Sequence, residues 1–166
     1  MKLDSVRGIL EALDATGVRF LIAGGLAVNA HGYHRFTKDV DLVVQLTEEN
    51  VTALFTALGP LGYRPSVPIS REQFGDPDLR ERMLREKGMQ VLQFWSDDHR
   101  ETPIDVFVRE PFDFETEYER AVSKEFAGVG LVRVVSIPTL IEMKEQVGRP
   151  QDLLDVDHLR LRLEDR

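Results

Sequence analysis

Apolar positions along this chain change period several times, and each change marks an element. Val6, Ile9, Leu10 and Leu13 recur at helical spacing, and Gly17 supplies a stop. The unbroken apolar run at 18–23 predicts a first strand. Gly24-Gly25 then turns the chain into a short helix at 26–31, whose small residues suit close packing on a sheet, and Gly32 ends it. A loop over 33–38 leads into a second strand at 39–46. Thr47, with Glu48, Glu49 and Asn50, opens a helix that runs to Leu58 and stops at Gly59-Pro60.

The segment 64–77 carries three prolines and mixed polarity, which predicts a loop. Positions 78–87 read as a charged helix, and 89–95 and 103–108 as two strands joined by a polar hairpin link at 96–102. A short helix around 114–122 precedes a small edge pair, 125–127 and 131–135, around Gly128-Val129-Gly130. Two helices close the chain, one with Pro138 near its start and ending at Gly148, the other running from Pro150 to about Leu163. This order predicts an α/β (α+β) domain: a mixed, mainly antiparallel sheet flanked by helices. Residues 1–135 would form its core and residues 136–166 a helical pair packed on it.

Composition narrows the function. The 166-residue chain is long enough to bury a real core. Its net charge of -8 argues against wide electrostatic capture of duplex nucleic acid, which relies on a basic face, while leaving room for RNA on a local patch. Zero cysteines exclude disulfides, cysteine zinc sites and thiol catalysis together. Positions 1–4 lack a long apolar core and no segment approaches eighteen uncharged apolar residues, so the expectation is a cytoplasmic protein with neither export signal nor membrane span.

Chemistry concentrates at Asp39-Val40-Asp41, fourteen residues after Gly25, and at Ile104-Asp105-Val106. Residues two apart on a strand share a face, so Asp39 and Asp41 project together while Val40 and Leu42 turn the other way. A buried carboxylate without a partner is costly. If the strand bearing Asp105 lies alongside, three carboxylates form an oxygen-only cup suited to magnesium or manganese, with room for two ions at the spacing of in-line phosphoryl displacement. Gly24-Gly25, between a strand and a helix, offers bare amides to phosphate oxygens.

The run from Gly24-Gly25-Leu26-Ala27 through His31-Gly32 to Arg35-Phe36-Thr37-Lys38-Asp39-Val40-Asp41 resembles the signature of the DNA polymerase beta-like nucleotidyltransferase superfamily. More narrowly, it is similar to minimal nucleotidyltransferases of the abortive-infection toxin (AbiEii-like) type. Leu140-Ile141-Glu142-Met143-Lys144 and Gly148-Arg149-Pro150-Gln151-Asp152-Leu153-Leu154-Asp155 resemble that group's second segment. The resemblance implies that Asp39, Asp41 and Asp105 hold Mg2+ or Mn2+, that Asp105 helps deprotonate the acceptor, and that Gly24 and Gly25 hold the triphosphate of a nucleoside triphosphate such as ATP. It places Lys144 near phosphates, with Arg149 and Asp152 bracing helix or nucleotide. Many superfamily members have Gly-Ser where this chain has Gly24-Gly25, so the resemblance implies a missing hydroxyl contact to the terminal phosphate.

The implied acceptor is RNA, such as a tRNA 3′ end, or a protein hydroxyl, with a cognate antitoxin as a possible partner. An aminoglycoside-modifying type of transferase is the alternative and needs an acidic acceptor pocket, for which Glu115, Glu117 and Glu119 are available. A nucleotide-binding regulator without turnover is the third reading. Beside the acids, Arg35, Thr37 and Lys38 are candidate nucleotide contacts, with Arg35 equally able to brace the loop by pairing with an acid. His31 and His34 have no matching ligand pair for zinc, and His31 reads as a helix end. Arg80, Arg82, Arg85 and Lys87 read as a solvated helix face, with Glu81 placed to pair with Arg85. Phe94 and Trp95 read as core and rim.

Overall fold

The computed structural model describes residues 1–126 and 128–164. Ala127, the predicted end of one edge strand, lies outside the described residues. Helix α1 (Leu3–Ala15) buries the predicted stripe Val6, Ile9, Leu10 and Leu13. Strand β1 (Phe20–Ile22) feeds α2 (Gly24–Ala30), which takes up both glycines instead of leaving them in a preceding turn. Next come β2 (Val40–Val44) and α3 (Glu48–Leu58), the latter capped by the Thr47 hydroxyl accepting from the Asn50 amide. Asp39 therefore stands one residue before its strand.

The segment expected to be a loop is structured. It holds a short strand, β3 (Arg64–Pro65), and helix α4 (Arg71–Gly75), which opens on a reciprocal capping box between Ser70 and Gln73. Helix α5 (Pro77–Lys87) follows, and its face is not wholly solvated. Arg80 is buried, its guanidinium over the Phe74 ring and its Nη1 donating to the Phe74 carbonyl. Arg85 finds Glu86 rather than Glu81.

Strands β4 (Val91–Trp95) and β5 (Ile104–Phe107) form the predicted hairpin. Helix α6 (Phe114–Arg120) ends before Val122, which opens β6 (Val122–Phe126) ahead of β7 (Gly130–Val134). Helices α7 (Ile137–Val147) and α8 (Pro150–Glu164) pack on each other at the end of the chain.

All seven strands join one sheet in the order β3-β4-β5-β2-β1-β7-β6. Four of its pairings are antiparallel, while β1 with β7 and β2 with β5 run parallel. Only β6 of the predicted edge pair is an edge, because β7 lies against β1. Strand β2 occupies the centre, and Val40, Leu42, Val43, Ile104 and Val106 are fully buried around it. A one-residue slip would turn Asp41 onto the face of Val40 and Leu42, away from Asp105, at the cost of burying a charge among apolar side chains. Among the described residues no helix is long and apolar enough to cross a membrane.

Candidate active site

Parallel pairing of β2 with β5 sets Asp41 directly beside Asp105, flanked by Val40 beside Ile104 and Leu42 beside Val106. Neighbouring strands lie about 4.8 Å apart, so the two carboxylates rise from adjacent points of one sheet face. Asp39 precedes them at the mouth of β2. Burial, then the charges of Asp105 and Asp39, push the Asp41 carboxyl up to about 7, against the opposing pull of Lys144 and Arg35. Burial and Asp39 also raise Asp105, although the Gln93 side chain, in register from β4, donates to Asp105 Oδ1 at 3.1 Å and favours its ionised form. The three acids thus share one electrostatic site.

The start of α2 is built around Asp41. The Ala23 amide donates to the Asp41 carbonyl at 2.9 Å, carrying the β1–β2 pairing to the brink of α2. Gly24 then adopts φ +59, and a Cβ there would stand 1.9 Å from Asp41 Oδ2. No side chain fits. The amides at the start of α2 have no partner within the helix, so bare backbone donors sit against the innermost acid.

A layer of paired charge surrounds this centre. Arg35 donates through Nε and Nη2 to the two oxygens of Asp155, both at 2.7 Å, and through Nη1 to the Phe36 carbonyl. Lys144, buried on α7, meets the same Asp155 at 2.7 Å and Asp152 at 3.2 Å. Asp155 is fully enclosed on α8 and takes a further hydrogen bond from Gln151. Burial alone would raise its pKa, but the bonds from Arg35, Lys144 and Gln151 outweigh that and hold it below the ordinary carboxylate value. One buried acid therefore ties the loop before β2 to both C-terminal helices.

Arg35 accordingly braces the loop by pairing with an acid. Asp152 also accepts from the Arg149 backbone amide, bracing the start of α8, whereas the Arg149 and Lys38 side chains are exposed and make no ion pair among the described residues. Thr37 is half-buried beside Gly25. Sequence reasoning gave no role to Asp155, nor to Asn29, whose amide clasps the backbone of Arg35 in both directions and sets the loop. Tyr33 of the same loop stacks on His158 of α8, with ring centroids 3.7 Å apart.

His31 ends α2, buried, with Nε2 against the Val135 carbonyl. Phe94 is core, and Trp95 lies under the Arg64 guanidinium. Two of the three acids considered for an acceptor pocket are spent elsewhere: Glu115 pairs with Arg19, and Glu117 is buried, accepting from the Ser136 amide and the Thr139 hydroxyl, while Glu119 is exposed. A cleft of about 440 Å³ is lined by Leu46, Arg80, Val108 and Glu110 beyond the far ends of β2 and β5. It is a separate feature from the acids.

Among the described residues no three His, Cys, Asp or Glu side chains stand gathered as a ready-made metal cage. The donor set nevertheless suits a hard divalent cation. It offers only oxygen, the charges of Asp105 and Asp39 raise Asp41 and that of Asp39 raises Asp105, and none of the three carries an ion pair among the described residues. Like charges held in one register disfavour full ionisation unless a proton or a cation offsets their repulsion.

No family model and no curated protein matches the chain. Solved structures do resemble it. The antibiotic-resistance factor ANT(2'')-Ia aligns over 98% of this chain and 83% of its own, at 17% identity and TM-score 0.61. The lincosamide antibiotic adenylyltransferase LnuA, bound to lincomycin, aligns over 96% and 97%, at 10% identity and TM-score 0.60. An antigenic nucleotidyltransferase-like protein from Paracoccidioides brasiliensis aligns over 95% and 74%, at 19% identity and TM-score 0.56. At these identities the likeness is one of fold, and the chain has the mixed-sheet fold of these nucleotidyltransferases.

Proposed function

We propose that the protein is a metal-dependent nucleotidyltransferase that moves a nucleoside monophosphate from a nucleoside triphosphate to an acceptor hydroxyl, releasing pyrophosphate. The observation that carries this reading is Asp41 set beside Asp105 in register, with the bare backbone of Gly24 pressed onto the Asp41 carboxylate. Asp39, Asp41 and Asp105 would hold Mg2+ or Mn2+, two ions at full occupancy, whose charge when bound would offset that building on the α-phosphate oxygens. Asp105, its basicity raised by burial and oriented by Gln93, takes the proton of the acceptor hydroxyl. The amides of Gly24 and Gly25 receive phosphate oxygens. Exposed Lys38 and Arg149 attract the incoming triphosphate, while Lys144, held by Asp152 and Asp155, supplies fixed positive potential from below.

For the acceptor, the motif resemblance supports RNA or a protein hydroxyl in a toxin-like setting, with a cognate antitoxin as partner. A second reading, transfer to a small hydroxylated antibiotic, draws on the likeness of fold to ANT(2'')-Ia and LnuA across nearly the whole chain. One assay separates them. The protein is incubated with magnesium, each α-labelled nucleoside triphosphate, and in turn cell RNA, cell protein, or a panel of aminoglycosides and lincosamides. Label in RNA that nuclease removes, or in protein, supports the first reading, and label confined to the small molecules supports the second. Failure to bind any magnesium–nucleotide would sink both.

A further inference from the structure

Gly25 is a glycine for a reason different from Gly24. Its φ lies outside the left-handed region, so its backbone would accept a side chain. What forbids one is a neighbour: a Cβ on Gly25 would stand 2.6 Å from Thr37 Oγ1, 2.9 Å from Thr37 Cβ and 3.0 Å from Arg35 Nη1. The side chain of Thr37 already fills the place that a residue at 25 would point into.

That hydroxyl has no structural task. Thr37 makes no hydrogen bond among the described residues, although it is half-buried and sits on the one loop that Asn29, Tyr33 and Arg35 all hold in place. A β-branched side chain has few χ1 states, so its Oγ1 is held in position in advance. The Thr37 hydroxyl and Arg35 Nη1, which keeps a second N–H beside the one it gives to the Phe36 carbonyl, thus stand together against Gly25, next in the chain to the glycine that abuts Asp41. These donors suit an anionic tetrahedral oxygen cluster.

Resting on the nucleotide site proposed above, and deepening it, we infer that Thr37 donates the hydroxyl contact to the triphosphate that a serine at position 25 would otherwise make, and that Gly25 is bare because Thr37 occupies its side-chain space. The two positions then form one exchangeable unit. The hydroxyl can be delivered from the loop or from the helix, but not from both.

The test measures binding of magnesium with the α,β-methylene analogue of each of the four nucleoside triphosphates, by calorimetry, with circular dichroism confirming the fold of every variant. Wild type binding none of them would refute the nucleotide site and this inference with it. With wild type binding, Thr37→Val, which keeps the shape and drops the hydroxyl, should weaken affinity roughly ten- to a hundredfold, the range for a hydrogen bond to a charged group. Thr37→Ser should stay within about threefold of wild type, less than half of the 1.4 kcal/mol that makes a tenfold change. The decisive pair is G25S/T37G against G25A/T37G, both relieved of the clash. The serine version should bind about tenfold or more tightly than the alanine version, by the same hydrogen bond. Equal affinity in that pair, or wild-type affinity in Thr37→Val, overturns the inference while leaving the nucleotide site standing.

Discussion

Replacing Asp41 by asparagine should stabilise the fold while removing its chemistry. Moving a carboxyl from 3.8 to about 7 corresponds to roughly 4 kcal/mol between its protonated and ionised forms. Asp41 keeps some access to water, which screens part of this, and about 1–3 kcal/mol is the expected gain in stability on substitution. A raised carboxyl favours the fold when protonated, so that contribution is complete below the ordinary value of 3.8 and is lost as pH rises through about 7. Asp41→Asn should therefore exceed wild type most at pH 8, with the gap closing as pH falls toward 4. At this chain length the gain equals roughly 3–10 °C in melting temperature. The assay is a pair of thermal melts in chelator at pH 8, 6 and 4. Adding magnesium at pH 8 should raise the melting point of wild type and leave the variant nearly unmoved. An Asp41→Asn protein less stable than wild type at pH 8, or a gap that ignores pH, would refute the electrostatic account of the acidic cluster.

Gly24→Ala forces a Cβ onto Asp41 Oδ2 at φ +59 and should destabilise the fold by roughly 2–4 kcal/mol, read by urea unfolding; Gly25→Ala, opposed only by side-chain atoms, should cost less. Asp155→Ala strips the shared anion from Arg35 and Lys144 and should cost about 3–5 kcal/mol by the same measurement, since it leaves the largely enclosed Arg35 without its ion pair and buried Lys144 with Asp152 alone. Because Asp155 is held below its ordinary pKa, the stability it supplies is present above that ordinary value and fades as pH falls through the lower one. Thr47→Ala removes the cap on the Asn50 amide and should cost about 1 kcal/mol, visible as a lower melting temperature.

The central strand and the acids were legible because acidic and apolar positions alternate at the start of β2 and along β5. Val40 and Leu42 turn to one face and Asp41 to the other, which is covered as well, since Val43 shares it and is fully buried. The side-by-side placement of Asp41 and Asp105 was readable only as a condition, since sheet order is set by long-range pairing that no local pattern encodes. Two local rules misled. Proline density at 64–77 hid the Ser70…Gln73 capping signature of α4, whose proline-free turn lies between Pro68 and Pro77. On α8, hydropathy points the wrong way: Leu153 and Leu154 are about half exposed, at 51% and 52%, while Asp155 between them and Val156 is fully buried. Its burial depends on Arg35, 120 residues away in sequence. Arg80 is a similar case, buried because an aromatic ring and a carbonyl of the preceding helix receive it.

The central claim is that the acids beside Gly24 direct cleavage between the α- and β-phosphates of a nucleoside triphosphate. Its most direct test follows two labels through one reaction, with magnesium, cell extract as acceptor source, and the triphosphate labelled at either the α or the γ position. The account predicts that α-label enters an acceptor, that γ-label leaves as pyrophosphate, and that Asp41→Asn abolishes both. Release of γ-label as free phosphate with no transfer of α-label, or transfer undiminished in Asp41→Asn, would contradict it.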